Sequence, residues 1–214
     1  MLARVPSVLV GILLAIYWAR VLHLAGKIRR SAGHTANIIP PGIFGCITRA
    51  VWFPIVALWI FLPLAVPFIR KPPKVFQPLF IYPTVAWLAL AAALAAFVLT
   101  LICWKKMGNS WRMGIDPTEK TALIVTGPYA IIRHPIYTLS SLLMLATVAV
   151  MPSPLMILVA LIHLILLQLE ARREENYLTN LHGAAYANYC RQVSRFVPLR
   201  IANKQKGDIH NILL

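Results

Sequence analysis

Five stretches of mostly apolar residues alternate with polar segments along this chain of 214 residues. They cover residues 5–24, 46–69, 79–104, 136–151 and 155–169. A helix that spans a membrane needs about 20 predominantly apolar residues, and the first three stretches meet that length. The last two are shorter, and only Pro152, Ser153 and Pro154 separate them. The pattern therefore predicts an all-α integral membrane fold with about five transmembrane helices, the last two forming a helical hairpin.

Local composition refines the first three spans. The first has an apolar stretch longer than the core of a secretory signal peptide, and no small-x-small cleavage site follows it cleanly. We therefore interpret it as an uncleaved helix. The second contains Pro54, Pro63 and Pro67, which neighbouring helices can accommodate in a membrane, and we expect it to be kinked or broken near its end. The third is rich in alanine, which favours close helix packing.

The polar segments complete the domain organisation. Residues 105–134 form the only long internal polar segment, and such loops in compact proteins are usually functional or disordered. Beyond the hairpin, residues 170–188 have helical character with many charges, and a basic tail follows. We therefore expect one membrane domain over residues 1–214. Its first part, 1–104, holds three spans, and its second part, 105–214, holds the polar loop, the hairpin and a cytoplasmic helix and tail.

The composition also indicates a membrane protein. Hydrophobic residues make up 59% of the chain and the mean hydropathy is +0.73, which is more apolar surface than a small water-soluble domain buries. Lysine and arginine number 21 against 6 acidic residues, a balance that suits anionic lipid head groups. The sequence has no basic face with interleaved aromatics, so we expect no nucleic-acid partner. The three cysteines are widely spaced and imply neither a disulfide framework nor a metal site.

The distribution of lysine and arginine predicts the topology. The loop around Arg29, residues 105–133 and the tail from Arg172 onward carry most of the positive charge. An odd number of spans places all three on one side of the membrane. We predict that this side is cytoplasmic, in a bacterial-type cytoplasmic membrane or the endoplasmic reticulum. The basic segment around Lys71 is an exception that this arrangement places outside.

Three polar segments meet at the cytoplasmic face in this topology, residues 108–112, 126–137 and 170–175. Each has an ordinary explanation. The first is typical of a turn with Trp111 as an interfacial anchor, and Pro135 in the second suits the first turn of a helix. The acidic residues of the third suit a solvated helix face. In combination, however, the segments contain an ordered set of residues that these separate explanations do not account for.

That ordered set has three parts. A G-x-Y-x(3)-R-H-P-x-Y segment precedes the hairpin, a pair of glutamates follows it, and an H-G-x-x-Y-x-x-Y segment comes next, before a proline. The residues are Gly127, Tyr129, Arg133, His134, Pro135, Tyr137, Glu174, Glu175, His182, Gly183, Tyr186, Tyr189 and Pro198. The set resembles the isoprenylcysteine carboxyl methyltransferase family and its relatives, the phospholipid N-methyltransferases. The resemblance covers roughly the C-terminal half, and the N-terminal spans match only in character.

The resemblance implies transfer of a methyl group from S-adenosylmethionine, bound in a cytoplasmic cofactor pocket, to a lipophilic acceptor, with S-adenosylhomocysteine as product. It places the cofactor contacts at Thr121, Ala122, Leu123, Ile124, Tyr129, His134, Pro135, Ile136, Tyr137 and Glu174. A carboxylate such as Glu174 balances sulfonium and ammonium charge, and aromatic faces attract cations. The start of the fourth helix favours the carboxylate of the cofactor. Methyl transfer needs positioning and exclusion of water rather than a metal or a covalent nucleophile.

Two positions depart from the family pattern. Leu139 stands where many members have glycine, at a point of close helix or cofactor contact. Glu170 stands where the prenylcysteine enzymes carry an arginine on the substrate side, and Arg173 lies three residues further along the same helix. We take Glu170 and Arg173 as candidate catalytic residues. Because a carboxylate acceptor would meet like charge at Glu170, we expect an acceptor that is neutral or cationic near the reacting atom.

Other functions are open at this point. The nearest is a phospholipid or other amine N-methyltransferase. A non-catalytic membrane scaffold of the same fold is another, for which Leu139 and Glu170 would be signs of decay, although the intact R-H-P-x-Y segment and glutamate pair oppose it. A transporter would need polar residues at mid-membrane in several spans, and apart from His163 the sequence lacks them. We interpret His163 as a neutral imidazole bonded to a neighbouring helix carbonyl.

Overall fold

Helices account for the regular secondary structure of the computed structural model, which describes residues 4–31, 36–115 and 122–198. The α-helices are α1 (Arg4–Ser31), α2 (Ile43–Ala65), α3 (Pro83–Met107), α4 (Pro135–Val150), α5 (Pro154–His182) and α6 (Ala184–Gln192). Short 3-10 helices lie at Val66–Phe68, Lys74–Phe76, Gly108–Ser110 and Gly127–Ala130. Within the described ranges the strand-like pairing amounts to one isolated bridge between Ile132 and Ser194.

The all-α integral membrane fold is confirmed. By length and composition, four of the described helices can cross a membrane, namely α1, α2 with the 3-10 turn after it, α3 and α5. The fifth predicted span corresponds to α4, which is apolar but has only 16 residues. Many large apolar side chains, such as Leu22, Leu88 and Ile165, are exposed on the outer faces, as contact with lipid requires.

The ends of two predicted spans agree only in part with the structure. The second span loses its α-helical form at Ala65 and continues as a 3-10 turn, so the predicted break near its end is confirmed. The third predicted span begins at residue 79, whereas α3 begins at Pro83, where proline suits the first helical position. Residues 79–82 instead run along the α4–α5 turn, where the Leu79 N–H donates to the Pro152 carbonyl at 2.9 Å.

The last span differs from the prediction. We predict a span that ends at residue 169 and a separate charged helix over 170–188, but α5 runs unbroken from Pro154 to His182. After Pro154 this stretch contains neither glycine nor proline, which are the residues that most often end a helix. The charges from Glu170 onward therefore make the helix surface polar without ending the helix. The break comes at Gly183, whose φ of 51° leaves the helical region, and α6 follows it.

Helix packing in the membrane region relies on small side chains and a few polar contacts. On the face that α3 turns toward the core, the buried side chains include Ala86, Ala89, Ala93 and Ala96, and α3 packs along α4. The Trp59 indole donates to the Thr147 hydroxyl at 2.9 Å and links α2 to α4. His163 is fully buried, and its Nε2 lies 3.0 Å from the Ser140 hydroxyl, so its partner is a side chain of α4 rather than the helix carbonyl we predict.

The helices run alternately up and down, which gathers five helix ends on one side. The Ser7 hydroxyl donates to the Pro63 carbonyl at 3.0 Å, so the start of α1 meets the end of α2. The Leu79 contact with the α4–α5 turn marks the same side. The ends of α1, α3 and α5 and the starts of α2 and α4 therefore lie together on the opposite side, and the conspicuous polar motifs of the sequence are there.

Candidate functional site

The R-H-P-x-Y segment forms the entry into α4. Gly127 has a φ of 67°, a conformation that favours glycine, and it opens a short 3-10 helix that ends at Ala130. His134 is the residue before the helix and Pro135 is its first residue, which fixes the backbone without losing a hydrogen bond. The side chains of Arg133, His134 and Tyr137 are thereby presented toward the end of α5.

Glu175 of α5 is the common acceptor for three cationic side chains. Its Oε1 accepts from Arg133 Nη2 at 3.0 Å, lies 3.2 Å from His134 Nε2, and accepts from Arg195 Nε at 2.9 Å. Arg195 also contacts the second carboxylate oxygen through Nη2. Only 12% of the Glu175 side chain is exposed, so these charge-assisted bonds are partly shielded from water. The entry into α4, the end of α5 and the chain after α6 are tied to this one carboxylate.

The chain after α6 is also bonded to the R-H-P-x-Y backbone. The Arg133 N–H donates to the Ser194 carbonyl at 2.9 Å, and the His134 N–H donates to the Arg195 carbonyl at 3.1 Å. Arg133 Nη1 donates to the Val193 carbonyl at 2.6 Å. The segment around Arg195 therefore lies against the start of α4 through main chain and side chain together.

His134 lies between the two glutamates. Its Nδ1 is 3.5 Å from Glu174 Oε2, its Nε2 faces Glu175, and its ring stacks on Tyr137 with an interplanar angle of 6°. Burial of the ring favours the neutral form, but the hydrogen bonds and negative charges of Glu174 and Glu175 outweigh it and raise the pKa of His134. Glu174 keeps 34% of its side chain exposed and can also face a ligand.

Helix α6 closes one side of this cluster. The Tyr189 hydroxyl donates to the Tyr129 carbonyl at 2.6 Å, and the Tyr186 side chain is buried beside it. Burial raises the pKa of Tyr189, so its phenol stays neutral and acts as a donor. Through this bond α6 is fixed to the 3-10 helix before α4.

Two cavities adjoin this cluster. The first, of about 740 Å³ counting its open mouth, lies between the spans. Its walls are rich in aromatic rings, which include Tyr17, Trp18, Trp52, Trp104, Trp111 and Tyr137. The second, of about 800 Å³ counting its open mouth, lies toward α6. Its walls include Ala122, Leu123, Ile124, Tyr177, Tyr186 and Tyr189.

The two cavities share one wall. The residues that line both are Met107, Arg112, Met113, Tyr129, Arg133, His134, Tyr137 and Glu174. A group bound in the first cavity and a group bound in the second would therefore meet at side chains from the R-H-P-x-Y segment and the glutamate pair. This arrangement suits the transfer of a group between two ligands.

Residues 84–185 match the family model described as phospholipid methyltransferase. This part of the chain is similar to the phospholipid methyltransferases. The match confirms the relationship that the sequence motifs indicate, and it runs from α3 through α5, so it includes the R-H-P-x-Y segment and both glutamates. No curated protein and no solved structure shows a significant match to the chain.

Most residues that the methyltransferase resemblance selects for the cofactor lie around the two cavities. Tyr129, His134, Tyr137 and Glu174 line both. Ala122, Leu123 and Ile124 line the second cavity, whereas Pro135 and Ile136 line the first. Thr121 lies outside the described residues. The sequence segments that resemble the methyltransferases are thus brought together in space, although they are separated along the chain.

The structure places the two candidate catalytic residues elsewhere. Glu170 and Arg173 are absent from the described residues that line the two cavities. Glu170 is 2% exposed, with Oε1 3.7 Å from Arg49 Nη1 and Oε2 3.6 Å from Arg173 Nη1. The guanidinium of Arg173 lies over the ring of Phe44, 4.3 Å from its centroid. Glu170 therefore faces α2 and is paired with two cations. It does not lie at a cavity wall, where its charge would repel a carboxylate acceptor.

Glu175, Arg195 and Arg49 also belong to this region but are not among the site residues predicted from the sequence. Glu175 joins the entry into α4 to the chain after α6, which its position beside Glu174 in the sequence does not indicate. Nothing in the tail distinguishes Arg195 as its partner. Arg49 had a usable signal, since an arginine within an apolar span is rare and needs a partner. Leu139, which departs from the methyltransferase pattern, packs partly buried against the hydrophobic core.

Proposed function

We propose that this protein is an integral membrane methyltransferase that uses S-adenosylmethionine and acts on a lipophilic small molecule or a lipidated substrate. The observation that carries the proposal is the pair of adjacent cavities with a shared wall. One cavity lies between apolar spans and the other lies among the polar segments. The similarity of residues 84–185 to phospholipid methyltransferases supports the reaction class.

The second cavity is the better candidate for the cofactor. Its aromatic side chains, with the partly exposed carboxylate of Glu174, fit a ligand that carries a sulfonium and an ammonium. Ala122, Leu123 and Ile124 lie at its wall, and we propose Thr121 as a further contact. S-adenosylmethionine, when bound, supplies the methyl group and a neutral sulfur leaving group.

The first cavity is the candidate for the acceptor. Its walls come from α1, α2, α3, α4 and α5, so a lipophilic molecule could enter it without leaving an apolar environment. His134 and Tyr137 stand on the shared wall, where their rings stack and where burial and the contact with Glu175 fix His134. These side chains would hold the reacting groups apart from bulk water and in line with each other. We propose that this side of the membrane is cytoplasmic.

An amine acceptor is favoured by a specific observation. The walls of the first cavity carry several indole and phenol rings, and the faces of such rings attract ammonium groups. Glu174 adds a negative charge on the shared wall. The second candidate function is therefore N-methylation of a phospholipid or another lipophilic amine, within the same reaction class.

The proposal is tested with the purified protein in lipid nanodiscs. We expect it to bind S-adenosylhomocysteine in calorimetry, and Glu174→Gln to weaken that binding by about 1.5–3 kcal/mol, because a hydrogen bond to a charged group is lost. The matched control is Asn180→Ala, an exposed change on the same helix, which should keep wild-type affinity. Radiolabelled S-adenosylmethionine incubated with membrane lipid extract should then give a labelled lipophilic product.

One result would overturn the proposal, and a second would remove the role of Glu174. If the wild-type protein neither binds S-adenosylhomocysteine nor labels any lipid, a non-catalytic membrane scaffold explains the fold better. If it binds and Glu174→Gln binds equally well, the carboxylate on the shared wall does not contact the cofactor. Identification of the labelled product separates an amine acceptor from a carboxylate acceptor.

A further inference from the structure

Arg49 is a buried arginine within a membrane span. It lies in the second turn of α2, and its side chain is 1% exposed. An ionised group in such a place is costly unless its charge and its hydrogen-bond donors are matched by the protein. The partners of Arg49 therefore indicate what it does.

Two nitrogens of the guanidinium donate hydrogen bonds, and the third faces a carboxylate as an ion pair. Nε donates to the Ile38 carbonyl at 2.7 Å, and Nη2 donates to the Met113 carbonyl at 2.8 Å. Nη1 faces the carboxylate of Glu170 at 3.7 Å. The plane of the guanidinium lies over the ring of Trp52, 4.7 Å from its centroid. Four parts of the chain therefore converge on one side chain.

The two carbonyls belong to chain segments that pack closely on each other. The Met113 N–H donates to the Ala36 carbonyl at 2.8 Å. A Cβ added to Gly114 would lie 2.3 Å from Pro40 Cγ and 2.9 Å from the Asn37 carbonyl oxygen, so only glycine fits there. The loop that follows α3 is thus pressed against the segment that follows α1, and Arg49 bonds to both.

This loop forms part of the wall between the two cavities. Arg112 and Met113 line both of them, and Trp111 lines the first. Trp52, on which the guanidinium lies, also lines the first cavity. Arg49 itself is absent from the described lining residues, so its effect on a ligand must pass through these neighbours.

We propose that Arg49 is a positioning residue that fixes the loop of residues 111–114 and the Trp52 ring, and so sets the shape of the wall shared by both cavities. The proposal rests on the proposed function for its consequence in binding. The charge of Glu170 holds the guanidinium of Arg49 in place, and Arg173 pairs with the same carboxylate. In this proposal the ion pairs of Glu170 maintain the shape of the site and do not act on the substrate.

Arginine suits this position better than lysine does. Its planar guanidinium donates in separate directions at once and still presents a face to an aromatic ring. Lysine would keep the charge opposite Glu170 but has one nitrogen, which cannot reach the Ile38 and Met113 carbonyls in the same geometry. Arg49→Lys therefore separates the role of the charge from that of the hydrogen bonds.

The experiment compares Arg49→Lys with the wild-type protein in nanodiscs. The first measurement is hydrogen exchange of the peptide over residues 108–115, which should be faster in the variant because the Met113 contacts loosen. The second is calorimetry with S-adenosylhomocysteine, whose affinity should fall by about tenfold, the effect of about one hydrogen bond to a charged group. Arg172→Lys, an exposed change on α5, is the matched control and should alter neither measurement.

Gly114→Ala provides an independent route to the same contact. It changes no charge, but its Cβ must displace Pro40, so it should also speed exchange in residues 108–115 and weaken binding of S-adenosylhomocysteine. If Arg49→Lys does not fold, the exchange and affinity of Gly114→Ala decide whether the contact between the two loops shapes the binding site. Wild-type exchange and affinity in a folded Arg49→Lys, or in Gly114→Ala when the first variant is unfolded, would overturn the inference.

The two proposals can fail separately. If the wild-type protein binds no S-adenosylhomocysteine, the proposed function fails, whereas the exchange measurement still decides whether Arg49 fixes the loop. If the wild-type protein binds and both variants bind equally well, the role of Arg49 is refuted and the proposed function stands.

Discussion

At the residue scale, His134 is unusual because each of its ring nitrogens faces a carboxylate. The imidazolium has two N–H donors, so the charged ring satisfies both contacts, whereas a neutral ring satisfies one. The ring is 5% exposed, and burial alone would favour the neutral form. The pKa of His134 is nevertheless raised, which means that the glutamates dominate.

This raised pKa predicts how the stability of the protein depends on pH. The folded state holds the His134 proton more tightly than the unfolded chain, where histidine has its ordinary pKa of 6.5. The stabilisation is therefore fully present below that pH and is lost as the pH rises through the higher folded-state pKa. We expect the apparent melting temperature in mild detergent to fall over that interval.

The matched variants for this pH series are His134→Gln and His23→Gln. The first should flatten the pH dependence, whereas the second, at an exposed position on α1, should leave it as in the wild type. Superimposable pH profiles for the wild type and His134→Gln would show that the ring does not carry this proton.

At the scale of elements, the junction between α5 and α6 determines where the tyrosines of α6 lie. Gly183 has a φ of 51° and a ψ of −121°, a combination that side chains with a Cβ strongly disfavour. A Cβ at this position would meet nothing within 4 Å, so the cost of a larger residue comes from the backbone alone. The turn directs α6 back so that Tyr189 reaches the Tyr129 carbonyl.

We predict that Gly183→Ala destabilises the protein by about 1–3 kcal/mol through this backbone strain. Unfolding by SDS in mixed micelles measures the change, and amide exchange in α6 should increase with it. Asn180→Ala, three residues earlier on an exposed face of α5, should stay within about 0.5 kcal/mol of the wild type. Equal stability of Gly183→Ala and the control would mean that the turn tolerates a side chain.

The elements could be predicted from the sequence where a single local property decides them. Length and apolar composition locate the spans, and Pro135 marks the start of α4. The predicted end of the last span at Leu169 is wrong because charges after that residue do not end a helix. Charge on one face does not interrupt helical hydrogen bonds, and the chain had no breaking residue before Gly183.

The sequence predicts those parts of the site whose residues lie close together along the chain. The R-H-P-x-Y segment and the glutamate pair are visible because their residues are close in sequence. The contacts of Arg49 with Glu170 and of Arg195 with Glu175 join residues far apart, and their choice depends on which helix ends meet. A sequence pattern does not encode that choice directly.

At the scale of the whole molecule, the alternating helices predict the sides on which loops lie. Lys71 follows α2 and Asn188 lies on α6, and both are exposed. In a chain whose native cysteines are replaced, we expect Lys71→Cys and Asn188→Cys to react with an impermeant maleimide from opposite sides of sealed vesicles. Labelling of both positions from the same side would mean that α3, α4 and α5 together cross the membrane an even number of times, which contradicts the alternating arrangement of the helices.

The brevity of α4 has a consequence for any reaction at its start. Its 16 residues make a helix of about 24 Å, several ångströms less than the hydrocarbon thickness of about 30 Å. If the α4–α5 turn lies at the far edge of the hydrocarbon core, His134 is placed below the level of the lipid head groups unless the bilayer thins locally. For an acceptor dissolved in the bilayer, the rate would then follow its mole fraction among the lipids. Diluting the acceptor with inert lipid would slow turnover, whereas diluting the vesicles with buffer would not.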